Sequence, residues 1–271
     1  MIKSALLIAI VFSLSGYAQT KVTDETKKKK QELLVEEYLD KGASRYNYDY
    51  QMVEWQMCLD EGLQKDSTVA RLWQEKAMPY FKARKYEVGM EYVDKAVLYD
   101  RREYLPYRAF IKCIFSKQYK ESISDFEQAT KEFGNEYVMD HTFDFYKALC
   151  YLQLNQYEKA DALLKNDIDV MLNKNGKEWV NTTTLFYYGI AKYEQRQYAE
   201  AIKIFDSTLV LYEHFSDAKY YKAICIARLQ GSQDEIKELI KQSKEDAKQG
   251  YTIGEYNTVH ETYPYQQKWN Y

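Results

Sequence analysis

One short pattern constrains this chain more than any other feature. It reads Lys or Gln, then Tyr, two mixed residues and a small residue. It stands at Lys85-Tyr86-Glu87-Val88-Gly89, Gln118-Tyr119-Lys120-Glu121-Ser122, Gln156-Tyr157-Glu158-Lys159-Ala160 and Gln197-Tyr198-Ala199-Glu200-Ala201, its tyrosines 33, 38 and 41 residues apart. Nine residues before each Tyr sits Ala77, Phe110, Ala148 or Gly189. Four residues after each small residue sits Val93, Phe126, Leu164 or Phe205, and three further on Ala96, Ala129, Asp167 or Thr208. Self-similarity at this period marks a stack of helical hairpins. Small residues at fixed places on two successive helices let the backbones approach, and larger apolar residues one turn away fill the seam.

Composition agrees. Ten Gly and three Pro in 271 residues are too few to punctuate a many-stranded sheet. The 28 tyrosines suit half-buried surfaces, since the ring is apolar and its tip forms hydrogen bonds. A net charge of −3 argues against nucleic acid as a partner, which calls for a basic excess, and gives no electrostatic attraction to anionic membranes.

With these residues in view, the chain resembles the tetratricopeptide repeat. That family's pattern is Trp-x2-Leu-Gly-x2-Tyr, then Ala-x3-Phe and Ala, over about 34 residues. Trp73, Ala77, Tyr80, Gly89, Val93 and Ala96 follow it, as do Ala148, Tyr151, Ala160 and Leu164, and Tyr188, Gly189, Ala201 and Phe205. Weaker copies flank these, one on Ala43, Tyr46, Gly62, Leu63 and Asp66, one opening at Ala223. The resemblance implies an all-α, right-handed superhelix of about six helix-turn-helix repeats over residues 31–249. Phe110 departs from the small residue usual at its place, although Ala109 adjoins it. Pro79 inside a first helix is expected to kink or shorten it. The longer spacings place insertions near residues 134–140 and 166–181, with Asn175-Gly176 a turn and Ser232-x-x-Glu235 a capping box.

The ends have their own character. Residues 1–18 have the layout of a secretory signal: Lys3, a ten-residue stretch from Ala5 to Leu14 that is apolar but for Ser13, and Gly16-Tyr17-Ala18 before Gln19. That implies a periplasmic or secreted protein with no stable membrane insertion after cleavage. Residues 19–30 form an N-terminal segment with a basic run, Lys27 to Lys30. Cys58, Cys113, Cys150 and Cys225 are scattered, with no CxxC spacing, and read as buried free thiols in preference to disulfides. After Gly250 the periodicity stops. The tail, residues 250–271, is aromatic, with Tyr251, Tyr256, Tyr263, Tyr265, Trp269 and Tyr271. It is expected to fold back over the exposed end of the last helix pair, because a terminal repeat lacks a neighbour. Docking on another protein is the alternative.

A search for chemistry finds none. His141, His214 and His260 stand in no HExxH pattern, and there is no GxSxG elbow, phosphate loop or GxGxxG. No catalytic residue, metal ligand or cofactor is assigned. In the resembled family, fixed positions of the first helices line a concave groove. Carried over residue by residue, they are Arg71, Gln74, Met78, Phe81 and Lys82, then Tyr104, Tyr107, Ile111 and Ile114, then Phe145, Leu149 and Leu152, then Phe186, Ile190 and Tyr193, and last Tyr220, Ile224 and Arg228. This lining is apolar and aromatic, which suits one or more protein or peptide partners presenting an apolar or aromatic segment. The expected function is a non-enzymatic interaction scaffold of the cell envelope. The alternatives are a specific inhibitor or immunity-type binder of an enzyme, and an enzyme or accessory protein acting on envelope polymers.

Overall fold

The computed structural model describes residues 25–176 and 179–269. The secretory-signal segment 1–18, residues 19–24 and Tyr271 lie outside the described residues. The fold is all-α but for one short hairpin, and it divides into two compact units at Arg101.

The first unit opens with α1, residues 25–35, which continues into a π-turn at Glu36–Asp40 and a 3-10 turn at Ala43–Arg45. The weak first copy therefore has an irregular first helix. Its second helix, α2 (Met52–Lys65), is followed by α3 (Ala70–Lys82) and α4 (Tyr86–Tyr99). Leu34, Leu39, Ala43, Trp55, Leu59, Leu63, Val69 and Leu72 form one buried cluster.

Pro79 does not shorten α3, which spans 13 residues, as does the unbroken α9 (Thr182–Glu194). Proline cannot donate to the carbonyl four residues back, that of Glu75. The Trp55 indole N–H donates to that carbonyl instead, at 3.3 Å, and Gln56 Nε2 donates to the Lys76 carbonyl at 3.0 Å. The Trp55 indole of α2 thus supplies the donor that proline removes.

The second unit stacks four helical hairpins: α5 (Arg101–Ile114) with α6 (Tyr119–Phe133), α7 (Phe143–Gln153) with α8 (Tyr157–Asn175), α9 with α10 (Tyr198–Leu211), and α11 (Ser216–Arg228) with α12 (Gln233–Lys248). Each tyrosine of the repeated pattern is the first residue of a second helix, and Val93, Phe126, Leu164 and Phe205 are fully buried. A Cβ on Gly189 would lie 2.5 Å from the Phe205 ring. Where Phe110 replaces the small residue, the close contact shifts by one: Ser122 donates its hydroxyl to the Ala109 carbonyl at 2.8 Å.

The five hairpin turns from α3 onward use the same backbone device. Arg84, Lys117, Asn155, Arg196 and Gln230 adopt left-handed φ between 56° and 61°. The next residue's N–H reaches back to a carbonyl of the first helix's last turn, as from Lys85 to Tyr80 at 2.8 Å and from Gln197 to Lys192 at 2.9 Å. Between hairpins, Asp60 pairs with Lys76, Asp161 with Lys192 and Asp206 with Lys222, at 2.6 to 2.8 Å. These charges tie one hairpin to the next and are more than a solvated surface.

The first expected insertion is a β-hairpin, β1 (Tyr137–Val138) against β2 (His141–Thr142), with Thr142 capping α7 through the Phe145 N–H. The second is mostly helix: α8 runs 19 residues to Asn175, and Gly176 ends it at φ 96°. The four cysteines are free thiols, Cys58 half-buried and the others buried.

Candidate functional site

The site is the first-helix face of the second unit, and the tail lies on it. The tail folds back onto the last hairpin through α11, not α12. The outer side of α12 stays largely exposed, and only Ser243 and Asp246 are buried in that helix. Its sequence, Gln-Asp-Glu-Ile-Lys-Glu-Leu-Ile-Lys-Gln-Ser-Lys-Glu-Asp-Ala-Lys, is polar enough to end the stack unaided.

From Gly250, at φ 86°, the tail turns onto α11. The Ser216 N–H donates to the Tyr251 carbonyl at 2.9 Å. The Asp217 carboxylate then accepts two tail amides, from Ile253 at 3.2 Å and from Gln267 at 2.6 Å, so one buried side chain holds both ends of the segment. Burial pushes Asp217 up to about 6, against the pull of those amides. Further along, Glu255 Oε1 lies 2.8 Å from His141 Nε2, both buried. Lys117 Nζ donates to the Thr262 carbonyl at 3.0 Å and lies 3.9 Å from Glu261. Its partial burial lowers its pKa, opposed by Glu261. Tyr187 donates its hydroxyl to the Pro264 carbonyl at 2.8 Å. Tyr265 packs edge-on against Tyr221, and Trp269 edge-on against Tyr220. Tyr263 is 1% exposed.

The groove residues expected from the sequence divide into buried, half-buried and exposed sets. Phe81, Ile111, Phe145, Leu149, Phe186 and Ile190 are buried. Phe81 lies against Gly89 of its own hairpin, and Phe186 against Phe205, Phe215 and Tyr221. Gln74 is buried as well, while Met78, Lys82, Tyr107 and Tyr193 are half-buried. Tyr104, Ile114 and Leu152 are buried, and Tyr220 and Ile224 half-buried. Arg71 and Arg228 are exposed, Arg71 paired with Glu75 at 2.7 Å.

Of the assigned positions Tyr220 meets the tail, through Trp269; the other contacts come from neighbours, Tyr187 beside Phe186 and Tyr221 beside Tyr220, and from Asp217, Lys117 and His141, none of them assigned from sequence. One residue of offset turns a helical side chain by about 100°, so a correct repeat alignment can still miss the contact face. His141 comes from the inserted hairpin and Lys117 from a left-handed turn, which the repeat pattern does not describe.

Chemically, the face offers a carboxylate to backbone amides, an ammonium and a phenol to backbone carbonyls, and aromatic shelves to side chains. These contacts hold a polypeptide mainly by its backbone. Among the described residues, no group of three His, Cys, Asp or Glu side chains could hold a metal ion.

The fold is that of a tetratricopeptide-repeat solenoid. Solved structures with this arrangement include PilW, described as a widely conserved type IV pilus biogenesis factor, at 16% identity over 76% of this chain and 90% of that one, with TM-score 0.59. A tetratricopeptide repeat protein from Parabacteroides merdae matches at 13% identity over 86% of this chain and 81% of that one, with TM-score 0.57. YrrB, a TPR protein with an unusual peptide-binding site, matches at 16% identity over 69% of this chain and 91% of that one, with TM-score 0.50. No family model matches the sequence, and no curated protein matches it.

Proposed function

We propose that this protein is a non-enzymatic interaction scaffold of the cell envelope, periplasmic or secreted, holding a protein or peptide partner against the first-helix faces of its repeats. One observation carries the reading: the first-helix face of the second unit already holds a looped polypeptide segment by its backbone and aromatic side chains. The fold supports it, being shared with a peptide-binding protein and a pilus biogenesis factor. The leader-like residues 1–18 support the compartment. No helix among the described residues is long and apolar enough to cross a membrane.

Two measurements test this. Fractionation with N-terminal sequencing should recover the chain outside the cytoplasm, beginning at Gln19; a cytoplasmic chain beginning at Met1 refutes the location. Affinity capture from the envelope should recover a reproducible set of proteins, lost when the accessible Tyr193 and Arg228 are changed to Ala and Glu. A single enzyme recovered one-to-one favours the inhibitor instead, and no recovery at all refutes the scaffold.

A further inference from the structure

We propose that the tail is a removable strap, seated where a looped, aromatic-rich segment of a partner protein binds and displaces it. This rests on the reading that the first-helix face binds protein, and it adds both the kind of segment and a built-in competitor.

Most of the hydrogen bonds that hold the strap are blind to its side chains. Asp217 takes backbone amides, while Lys117 and Tyr187 reach backbone carbonyls. A segment that follows the same looped path can satisfy them whatever its side chains. Selectivity comes from ring contacts to Tyr220 and Tyr221 and from a carboxylate opposite His141. The fitting segment is therefore one with an acidic residue followed, eight residues on, by an aromatic-Pro-aromatic stretch, as Glu255 precedes Tyr263-Pro264-Tyr265 in the strap itself.

The strap also fits imperfectly. The Tyr146 hydroxyl is fully buried yet has no hydrogen-bond partner, and neither has the buried Trp269 Nε1. A cavity of about 260 Å³ remains beside Gly254 and Glu255, bounded by Asp140, Asn181, Thr183 and Phe215. A Cβ on Gly254 would meet no atom within 4 Å, so a partner can carry a side chain where the strap has none. A segment that satisfies the Tyr146 hydroxyl and fills this space outcompetes the tail, since an unpaired buried polar group is costly.

The test uses the full chain and a fluorescent synthetic peptide of residues 251–269. Changing Tyr263 and Tyr265 together to Ala loosens the strap without touching the face beneath. The loosened chain should bind the peptide about tenfold or more tighter than wild type, as expected when the competing segment is docked roughly nine-tenths of the time. A scrambled peptide should not bind, and Lys117→Met in the loosened chain should weaken binding. In wild type, hydrogen exchange should show the amides of 251–269 opening faster than those of α7 and α9. The proposal fails if the loosened chain keeps its helical content and binds the peptide no better, or if tail and helices exchange together. It also fails if the loosened chain merely dimerises, which assigns the face to a second copy. Peptide binding without envelope capture overturns the scaffold while keeping the strap; capture without peptide binding does the reverse.

Discussion

Changing Trp55 to Phe isolates the replacement bond at Pro79. The indole N–H donates to the Glu75 carbonyl, which residue 79 would serve in an uninterrupted helix. Phenylalanine keeps most of the ring and loses the donor. Leaving a part-buried carbonyl short of a donor costs about 1–2 kcal/mol, and the smaller ring adds a fraction more. Pro79→Ala supplies the missing N–H from the helix itself. In that background the same Trp55→Phe change should cost about 1 kcal/mol less, which is the coupling energy of the cycle. Urea unfolding followed by far-ultraviolet circular dichroism measures all four chains, each compared at the transition that Trp55→Phe shifts, because repeat arrays need not unfold in one step. If Trp55→Phe costs the same in both backgrounds to within about 0.5 kcal/mol, the indole does not stand in for the lost bond and the account of α3 is wrong.

Gly189→Ala should lower stability by about 1–2 kcal/mol, because overpacking a buried ring outweighs a helix-propensity gain of about 1 kcal/mol, and Phe205→Leu should recover part of the loss. A higher melting temperature for the single variant would contradict this. Arg84→Gly should raise stability by about 0.5–1 kcal/mol by relieving a left-handed non-glycine residue, checked by the same melts. Asp217 has its folded pKa raised by burial to about 6 from 3.8, so its contribution is present below about 4 and lost as pH rises through 6. The stability difference, Asp217→Asn minus wild type, should therefore grow by about 2–3 kcal/mol from pH 4 to pH 7; a flat difference across that window removes the shift. With a thiol reagent in native buffer, Cys58 should react first, and Cys113, Cys150 and Cys225 only on unfolding, since burial raises the pKa of the Cys225 thiol to about 12.

The helices were legible because the signal was redundant. Four of the second helices begin at the tyrosine of the repeated pattern, and each buried Val93, Phe126, Leu164 or Phe205 sits at the same offset from it. Ser232 caps α12 through the Glu235 N–H, as its spacing to Glu235 anticipates. The full length of α8 was not legible, since Asn166 and Asp167 look like a loop opening and yet continue a helix that Gly176 ends. The tail's place was least legible. It depends on pairings such as Asp217 with Ile253 and Gln267, 36 and 50 residues away, and nothing local announces them. The groove residues carried over by resemblance fell beside the contact face more often than on it: Tyr187, not Phe186, reaches the tail.

The polar outer side of α12 explains where the tail went. An aromatic segment gains little by covering charged side chains that are already solvated, and it gains roughly 25 cal/mol for each Å² of apolar surface it buries against other apolar surface. The aromatic surface within reach was the first-helix face, with Tyr187, Tyr220 and Tyr221 presented in register. The tail and the groove, which the sequence offers as two separate adhesive surfaces, are thus two halves of one contact. Removing either half exposes the other. A partner that takes the tail's place on the face consequently releases a second aromatic segment, Tyr263 to Trp269, for contacts of its own.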